Sequence, residues 1–524
     1  MKQIFMMVLL PFFFAVGMRA QTQQTGVVNN GDYVYDYDDN MKYRITEVSD
    51  DDPYKVYVAL DGFIDAGDTR KDLNIKSSFI SASGDNVYHY IVSTIGEGAF
   101  RGNTTIECVH VHIGCMVIGV SAFQNCTALK KVYYETASST GGFTRSIGDY
   151  AYAGCTSLSS YEMSGDEKRI GKGAFQGCKG LKDFSIHEKV DTIGDDAFWG
   201  CTGLTAISLP ATLKEIGSGC FRHCDALTTI TFASGFAVDG LPSLMFSDCG
   251  NLSEVTIPSC VKTLGENCFN SCSKLSVVHL QEGLQEIGDF CFSQCAGLTK
   301  VEIPGSVEFL RRGAFQECGN LANVKFLGDH VKSIGAACFY DTQVENITLP
   351  YGLESLGYDK DGANSGNPLF SHVHDMVVPS TVQTIGKLVG SESGDNINSV
   401  KFLGSTPPEL APNCYMASDL NVYVPQGAME AYTNKFSTTN VRSLSSAEYS
   451  FTQRKIHLWN HLRAALWRLY RRHRETLYRE ECQRQHCATD REDRRKVGTG
   501  CPLHIQKMCR LYGSERVVCR SGEL

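Results

Sequence analysis

A unit of 23 residues recurs along most of this 524-residue chain. Residues 193–215 read IGDDAFWGCTGLTAISLPATLKE, and residues 287–309 read IGDFCFSQCAGLTKVEIPGSVEF. Both follow the pattern Ile-Gly-x-x-Ala/Cys-Phe-x-x-Cys-x-x-Leu-x-x-Val/Ile-x-Ile/Leu-Pro. Such self-similarity predicts a repeat architecture, in which each unit contacts only its neighbours along one axis. It also explains how so long a chain can fold without one oversized hydrophobic core.

Two side-chain columns keep their register through the units. The aromatic column is Phe100, Phe123, Tyr152, Phe175, Phe198, Phe221, Phe246, Phe269, Phe292, Phe315 and Phe339. The cysteine column is Cys126, Cys155, Cys178, Cys201, Cys224, Cys249, Cys272, Cys295 and Cys318. Stacking the units places the rings above one another, and we predict a buried structural spine. Its predicted members include Phe123, Phe175, Phe198, Phe221, Phe269, Phe292 and Phe315.

Within one unit the spacing predicts a short strand and a turn. Ile207 and Leu209 alternate with small or polar residues, so they point to one face of a strand. Pro210 ends that strand because it has no N–H to donate. Gly217, after Ile216, permits a tight turn. One coil cannot bury its apolar side alone, so successive strands are expected to pair in parallel, about 4.8 Å apart, over roughly twelve coils.

The Leu-x-x-Ile-x-Leu segment is typical of leucine-rich repeats, and the 23-residue form with Ile-Gly-x-x-Ala-Phe-x-x-Cys resembles the BspA-like, or treponemal-type, family of bacterial surface proteins. The resemblance covers about residues 90–435. It implies a right-handed leucine-rich repeat solenoid with a parallel β-sheet, mostly β and irregular, capped at both ends. It also implies export and adhesion to host proteins or other bacteria.

The sequence predicts a signal peptide and two caps around the solenoid, followed by a tail of different composition. Residues 1–20 are predicted to be a signal peptide, because Ile4 to Val16 is apolar and Ala20 suits the position before a cut. Residues 21–93 are expected to form a β-rich cap, with strands at Tyr33–Tyr35, Tyr43–Ile45 and Lys55–Leu60. The solenoid is expected over residues 94–403. A closing cap is expected over residues 404–450, with a strand at Val422–Val424 and a short helix ending near Tyr432.

Residues 451–524 differ in composition from everything before them. They hold 17 Lys+Arg against 8 Asp+Glu, whereas residues 1–450 hold 32 against 50. Apolar residues from Trp459 to Leu477 recur at helical spacing among arginines, which would suit an anionic surface or nucleic acid. The alternative that we favour is a segment that is not a selected domain, such as an out-of-frame extension. A zinc site is disfavoured because no Cys-x-x-Cys pair is present.

The cysteines and acidic residues allow several interpretations. An exported chain invites disulfides, but identical columns point in parallel, so buried free thiols are preferred. Asp359, Asp361 and Asn364 resemble part of a calcium loop without its terminal Glu, and an ordinary surface loop is the preferred alternative. No cofactor is predicted.

One residue of each predicted strand faces solvent, and this column is the candidate ligand face. Its members are Tyr133, Glu162, Ser185, Ser208, Thr231, Thr256, His279, Glu302, Lys325 and Thr348. His279 and Glu302 fall on adjacent coils and could form a base and its orienting acid, but no nucleophile, oxyanion device or metal set accompanies them. A surface ion pair is the preferred interpretation, and an enzyme is not predicted.

The net charge of −9 argues against nucleic acid as a main partner. Nothing after the first residues is long and apolar enough to span a bilayer. We therefore expect an extracytoplasmic monomer, secreted or on the outer cell surface, that binds an extracellular protein or glycan without catalysis. The alternative is a structural or accessory component of a surface glycan-handling or envelope assembly.

Overall fold

A computed structural model describes residues 20–22, 28–83, 86–112, 114–134, 145–163, 165–358, 367–388, 398–412, 414, 420–436 and 440–445. The chain there is a parallel β-solenoid of about 14 turns with almost no helix. The predicted solenoid is confirmed, with somewhat more turns than the repeat count gave. Residues 1–19 of the predicted signal peptide (1–20), the predicted loop with Asp359, Asp361 and Asn364, and the basic segment 451–524 lie outside the described residues.

The N-terminal part is a largely antiparallel sheet that continues into the solenoid. Its strands are β1 (Ala20–Thr22), β2 (Tyr33–Asp36), β3 (Met41–Val48), β4 (Lys55–Phe63), β6 (Ser78–Ser83) and β7 (Asn86–Ile95). The intervening strand β5 (Asp72–Ile75) belongs to a different sheet, in which it pairs in parallel with Cys108–Val111. β4 pairs with β7 in parallel, and β7 pairs with the first short strand of the solenoid, Val117–Ile118. The strands expected in this region are present and longer than predicted.

Most coils contribute a strand at the Leu-x-x-Ile-x-Leu segment, and we call these the face strands. They are Cys108–Val111, Lys131–Tyr134, Ser160–Tyr161, Ala206–Leu209, Thr229–Phe232, Glu254–Thr256, Val277–His279, Lys300–Ile303, Asn323–Phe326, Asp375–Val378, Ser399–Phe402, Asn421–Val424 and Val441–Ser443. Neighbouring strands pair in parallel, as Ile207 with Ile230. The sheet is not continuous: β5 and the first three face strands pair at one end, the last four face strands pair at the other, and three separate pairs lie between them.

A second ladder, which we call the Ile-Gly strands, runs through residues that the sequence had assigned to a turn. They are Val117–Ile118, Arg145–Ile147, Glu167–Ile170, Thr192–Ile193, Glu215–Ile216, Gly240–Leu241, Thr263–Leu264, Glu286–Ile287, Phe309–Leu310, Ser333–Ile334, Ser355–Leu356, Thr384–Ile385 and Glu409–Leu410. The glycine is needed for close packing as well as for turning. A Cβ on Gly217 would lie 2.1 Å from the amide nitrogen of Asp195 in the preceding coil.

The second ladder breaks once among the described residues, between Ile216 and Gly240. In the flanking coils the residue after the apolar position donates to the preceding coil: Gly217 N–H to the Ile193 carbonyl (2.7 Å) and Gly265 N–H to the Leu241 carbonyl (2.8 Å). The equivalent residue in the intervening coil is Pro242, which has no N–H. The break therefore follows directly from one residue of the sequence.

The turn that carries the aromatic column supplies a third set of inter-coil hydrogen bonds. The N–H groups of Gly173, Phe175 and Gly177 donate to the carbonyls of Asp195, Ala197 and Trp199 at 2.7–2.8 Å. The residues two positions before and two positions after Phe175 both have positive φ, 55° at Gly173 and 70° at Gly177. The same pattern repeats in other coils, where non-glycine residues take these left-handed positions.

The rings of the aromatic column lie in one buried stack. Successive ring centroids from Phe100 to Phe370 are 5.2–5.7 Å apart, with planes within 20° of parallel. Phe123, Phe175, Phe198, Phe221, Phe269, Phe292 and Phe315 are all fully buried. Phe370 extends the column beyond Phe339, 5.7 Å away. The sequence comparison missed Phe370 because the insertion near residue 360 shifts the repeat.

Every described cysteine is a free thiol. The column thiols are buried, and each donates to the carbonyl of the aromatic residue one coil earlier, at 3.0–3.3 Å. The same carbonyl also accepts the N–H of its own coil's cysteine, as Phe175 does from Cys178. The thiol is thus a weak second donor to a buried acceptor.

Beyond the repeat, helix α1 (Met429–Phe436) packs beside the last face strands. Tyr432 and Phe436 are its buried residues, and the Tyr432 hydroxyl donates to the Gly404 carbonyl at 2.9 Å. The helix ends at Phe436, one turn later than the sequence indicated, because Phe436 also packs against Phe402 with ring centroids 5.4 Å apart.

Candidate binding face

The face strands present one exposed column of side chains with buried residues on either side. In Ala206–Leu209 the burial alternates, with Ile207 and Leu209 buried and Ser208 exposed. The predicted face residues follow this rule. Glu162, Ser185, Ser208, Thr231, Thr256, His279, Glu302, Lys325 and Thr348 are exposed, and Tyr133 is half-buried. We call these residues the face column.

The middle of the face column is neutral and rich in hydroxyls. Ser208 and Thr231 lie directly opposite each other on paired strands. Thr256 pairs with His279 on the next strand pair. Ser185 belongs to a coil that makes only isolated bridges, through Asp183, to Ser160 and Ala206. The hydroxyls of this stretch can both donate and accept hydrogen bonds to a polar partner.

The charged part of the face column is arranged differently from the sequence hypothesis. His279 Nε2 lies 3.2 Å from Glu254 Oε1, and Lys325 Nζ lies 2.9 Å from Glu302 Oε1. The structure therefore gives His279 and Glu302 separate partners, and the strands that carry them do not pair. Exposed ion pairs of this kind contribute little to stability.

Both ends of the face carry aromatic and basic residues. At the N-terminal end, the His110 and Tyr133 rings stack with centroids 5.2 Å apart, and Lys131 Nζ lies 5.8 Å from the Tyr133 centroid. At the C-terminal end, Lys401 and Tyr423 hold the equivalent positions. Thr348 is the last face residue that the repeat spacing predicts, because the insertion after Leu356 disrupts that spacing. In the sequence, Val422 and Val424 on either side of Tyr423 form the apolar alternation that could have identified Tyr423 as a face residue.

The buried cysteines are poor candidates for nucleophiles. Burial raises the pKa of the Cys201 and Cys318 thiols to about 12. At neutral pH such thiols stay protonated, whereas a catalytic cysteine needs an accessible thiolate. The thiol column is therefore part of the packing.

Other site chemistry is limited in the described part of the chain. Within the described ranges, no three His, Cys, Asp or Glu side chains are grouped so as to hold a metal ion. No helix found there has the length and apolar character needed to cross a membrane.

At the start of the solenoid, hydrogen bonds from Lys130 and Lys71 lower the pKa of Glu107 to about 2. This arrangement is an inter-coil ion cluster.

Stacked parallel coils, an alternating face strand and an aromatic spine define a leucine-rich repeat protein. The chain matches the family model described as the BspA type leucine rich repeat region, in six copies over residues 85–142, 145–240 and 239–360. The protein belongs to this family, and the predicted resemblance is confirmed.

The chain is similar to several solved structures of bacterial proteins. A leucine-rich repeat protein from Bacteroides ovatus is 19% identical, covers 78% of this chain and 98% of its own, and has a TM-score of 0.50. A leucine rich cell surface protein from Faecalibacterium prausnitzii is 18% identical, with 80% and 97% covered and a TM-score of 0.40. The pneumococcal vaccine antigen PcpA is 17% identical, with 80% and 100% covered and a TM-score of 0.39. No curated protein matches the chain.

Proposed function

We propose that the protein is an exported, non-enzymatic surface protein that binds an extracellular protein or glycan through the face column. The observation that carries the proposal is the exposed column from Glu162 to Thr348, flanked by buried or half-buried residues along successive coils. A repeat scaffold of this kind presents an extended surface whose side chains are spaced regularly, as binding solenoids require.

The chemistry of the column supports binding more than catalysis. His279, the best candidate for a general base, is exposed and lies beside Glu254, which is exposed too. An exposed imidazole–carboxylate pair lacks the water exclusion and the positioned nucleophile that catalysis needs. The neutral hydroxyl stretch at Ser208 and Thr231 suits hydrogen bonding to a polar surface.

Two observations support a location at the outer cell surface. The family is one of surface proteins, and the Faecalibacterium neighbour is described as a cell surface protein. The apolar run Ile4 to Val16 at the start of the sequence is typical of a secretory signal. We further propose that the protein acts as a monomer, with the β1–β7 region and the α1 region capping the apolar ends of the solenoid.

A binding screen with a face-blocking variant tests the proposal. The full chain would be applied to immobilised extracellular matrix proteins and to a glycan array. Ser208→Trp with Thr231→Trp would then be compared with Glu215→Trp, which places one indole on the exposed side of an Ile-Gly strand. We expect the double variant alone to lose binding. Equal binding by all three proteins, each with unchanged melting, would contradict use of this face.

A further inference from the structure

The last four face strands form one parallel sheet that ends the binding face. Asp375–Val378, Ser399–Phe402, Asn421–Val424 and Val441–Ser443 pair in that order. Lys401 lies opposite Tyr423, and Tyr423 lies opposite Arg442. These three residues therefore form one row across three successive strands, at the same strand position as the face column. We call them the terminal row.

The terminal row carries two cations that the described residues do not neutralise. Lys401 and Arg442 have no ion-pair partner within the described ranges, whereas Lys325 is paired with Glu302. Arg442 is exposed and Lys401 is half-buried. Asp375, on the first strand of this sheet, accepts a hydrogen bond from the Ser399 hydroxyl at 2.5 Å. Two uncompensated cations on a body whose residues 1–450 carry a net charge of −18 mark a place for an anionic ligand.

The neutral groups of the same sheet suit a hydroxyl-rich ligand. Tyr423 is half-buried, with Lys401 Nζ 5.9 Å from its ring centroid. Asn421, beside it on the strand, donates its amide to the Asn398 carbonyl at 3.0 Å. A phenol and an amide next to guanidinium and ammonium groups combine hydrogen bonding with charge.

We propose that the terminal row binds a carboxylate-bearing polysaccharide, an inference that rests on the proposed function and assigns it a ligand class. The guanidinium of Arg442 can hold a carboxylate with two parallel hydrogen bonds. Lys401 and Arg442 lie two strand spacings apart, about 10 Å, so each can meet an acidic group on a different sugar of one chain.

An acidic polysaccharide fits this surface better than a protein partner does. Protein interfaces are centred on large apolar or aromatic anchors that become fully desolvated. The large hydrophobic side chains exposed elsewhere in the described chain, such as Trp199 and Tyr351, do not lie on this sheet. The terminal row offers charge and hydrogen bonds on a flat sheet surface instead.

The test measures binding of polygalacturonate to the full chain by titration calorimetry, with dextran and polyglutamate as comparison polymers. Lys401→Gln with Arg442→Gln is the test variant, and Arg442→Gln alone guards against misfolding of the double variant. Lys214→Gln is the matched control, because it removes a lysine that is paired with Asp191 and lies outside the face column. The basic residues after 450 are present in every protein, so a difference in affinity between variants comes from the substituted residues.

We expect polygalacturonate to bind, the double variant to weaken binding by about tenfold or more, and Arg442→Gln to weaken it less. Lys214→Gln should leave polygalacturonate binding unchanged, and dextran should not bind. Equal losses in the control and the double variant, or polyglutamate binding as tightly as polygalacturonate, would overturn the inference. Ligand binding that Ser208→Trp abolishes but Lys401→Gln with Arg442→Gln leaves intact would overturn it while leaving the proposed function standing.

Discussion

The thiol of Cys201 donates a hydrogen bond of 3.1 Å to the backbone carbonyl of Phe175 in the preceding coil. The relationship repeats from Cys126, which donates to Phe100, to Cys318, which donates to Phe292. The cysteine column therefore links each coil to the one before it, next to the aromatic stack. Its role is that of a small apolar side chain with one weak donor, which a free thiol fills without needing a disulfide.

Replacing a cysteine of the column should lower the free energy of unfolding more than replacing a buried cysteine at another position of the repeat. We expect Cys201→Ala to lower the free energy of unfolding by about 1–2 kcal/mol, through a lost hydrogen bond and a small cavity. Cys220→Ala is the control, because Ala197 and Ala174 occupy the equivalent position in neighbouring coils. Urea unfolding measures both. Equal losses would show that the thiol–carbonyl bond contributes nothing.

Removing one ring from the spine should open a cavity in the solenoid. Phe221 is fully buried between Phe198 and Phe246, at 5.2 and 5.6 Å. Phe221→Ala should cost about 3–5 kcal/mol. Phe221→Tyr should cost less, because Tyr152 already occupies a spine position. Thermal melting of the three proteins checks this, and an unchanged melting temperature for Phe221→Ala would contradict the stacked spine.

The protein should lose stability at alkaline pH in a manner that depends on its thiols. Burial raises the pKa of Cys201 and Cys318 to about 12, above the ordinary value of 9.0. The unfolded chain therefore releases thiol protons that the folded chain retains, and stability is full below pH 9 and falls as pH rises toward 12. Each such thiol contributes up to about 1.4 kcal/mol per pH unit in that window.

Urea midpoints at several pH values, in the presence of a reductant, measure this slope. Cys201→Ala combined with Cys318→Ala should make the decline shallower, since the two titrating groups are gone. The same thiols should react with a thiol reagent at pH 8 only after unfolding. Rapid reaction in the native protein, or a slope that the double variant does not change, would show that the thiols are not protected.

At the left-handed positions beside the aromatic column, introducing a glycine should raise the free energy of unfolding and replacing a glycine by alanine should lower it. Ser121 has a φ of 53°, and its side chain makes no hydrogen bond within the described ranges. Ser121→Gly should therefore raise the free energy of unfolding by about 1 kcal/mol. Gly177 has a φ of 70°, and a Cβ there would meet no atom closer than 4.0 Å. Gly177→Ala should lower the free energy by a similar amount through backbone strain alone.

Chemical denaturation of both variants checks the pair. The aromatic residues they flank, Phe123 and Phe175, are unchanged in each, so packing is held constant. Effects of the same sign in the two variants would show that side-chain contacts, and not backbone conformation, govern these turns.

Much of the architecture could be predicted from the repeat. The positions of Ile207 and Leu209 gave the inward side of a face strand, and the register of Phe221 gave the ring stack. These features follow from spacing alone, because identical residues at identical positions must stack when coils stack. Ser208 and Thr231 could likewise be assigned to the solvent side.

Three features could not be predicted with the same means. The Ile-Gly ladder was missed because two residues per coil are too short to show a strand period. The pairing of His279 with Glu254 depends on side-chain reach between coils, which spacing does not give. The terminal row was missed because an insertion after Leu356 breaks the repeat that the comparison followed.

The sequence by itself determined the solenoid, its family and its aromatic column, since a one-dimensional repeat fixes which residues must recur side by side. Only the tertiary structure decided which hydrogen bonds join the coils, such as the one that the thiol of Cys201 donates to the Phe175 carbonyl. The reason is physical. Burial follows from the periodicity of apolar residues, whereas a hydrogen bond needs a donor and an acceptor brought within about 3 Å by the packing of different coils.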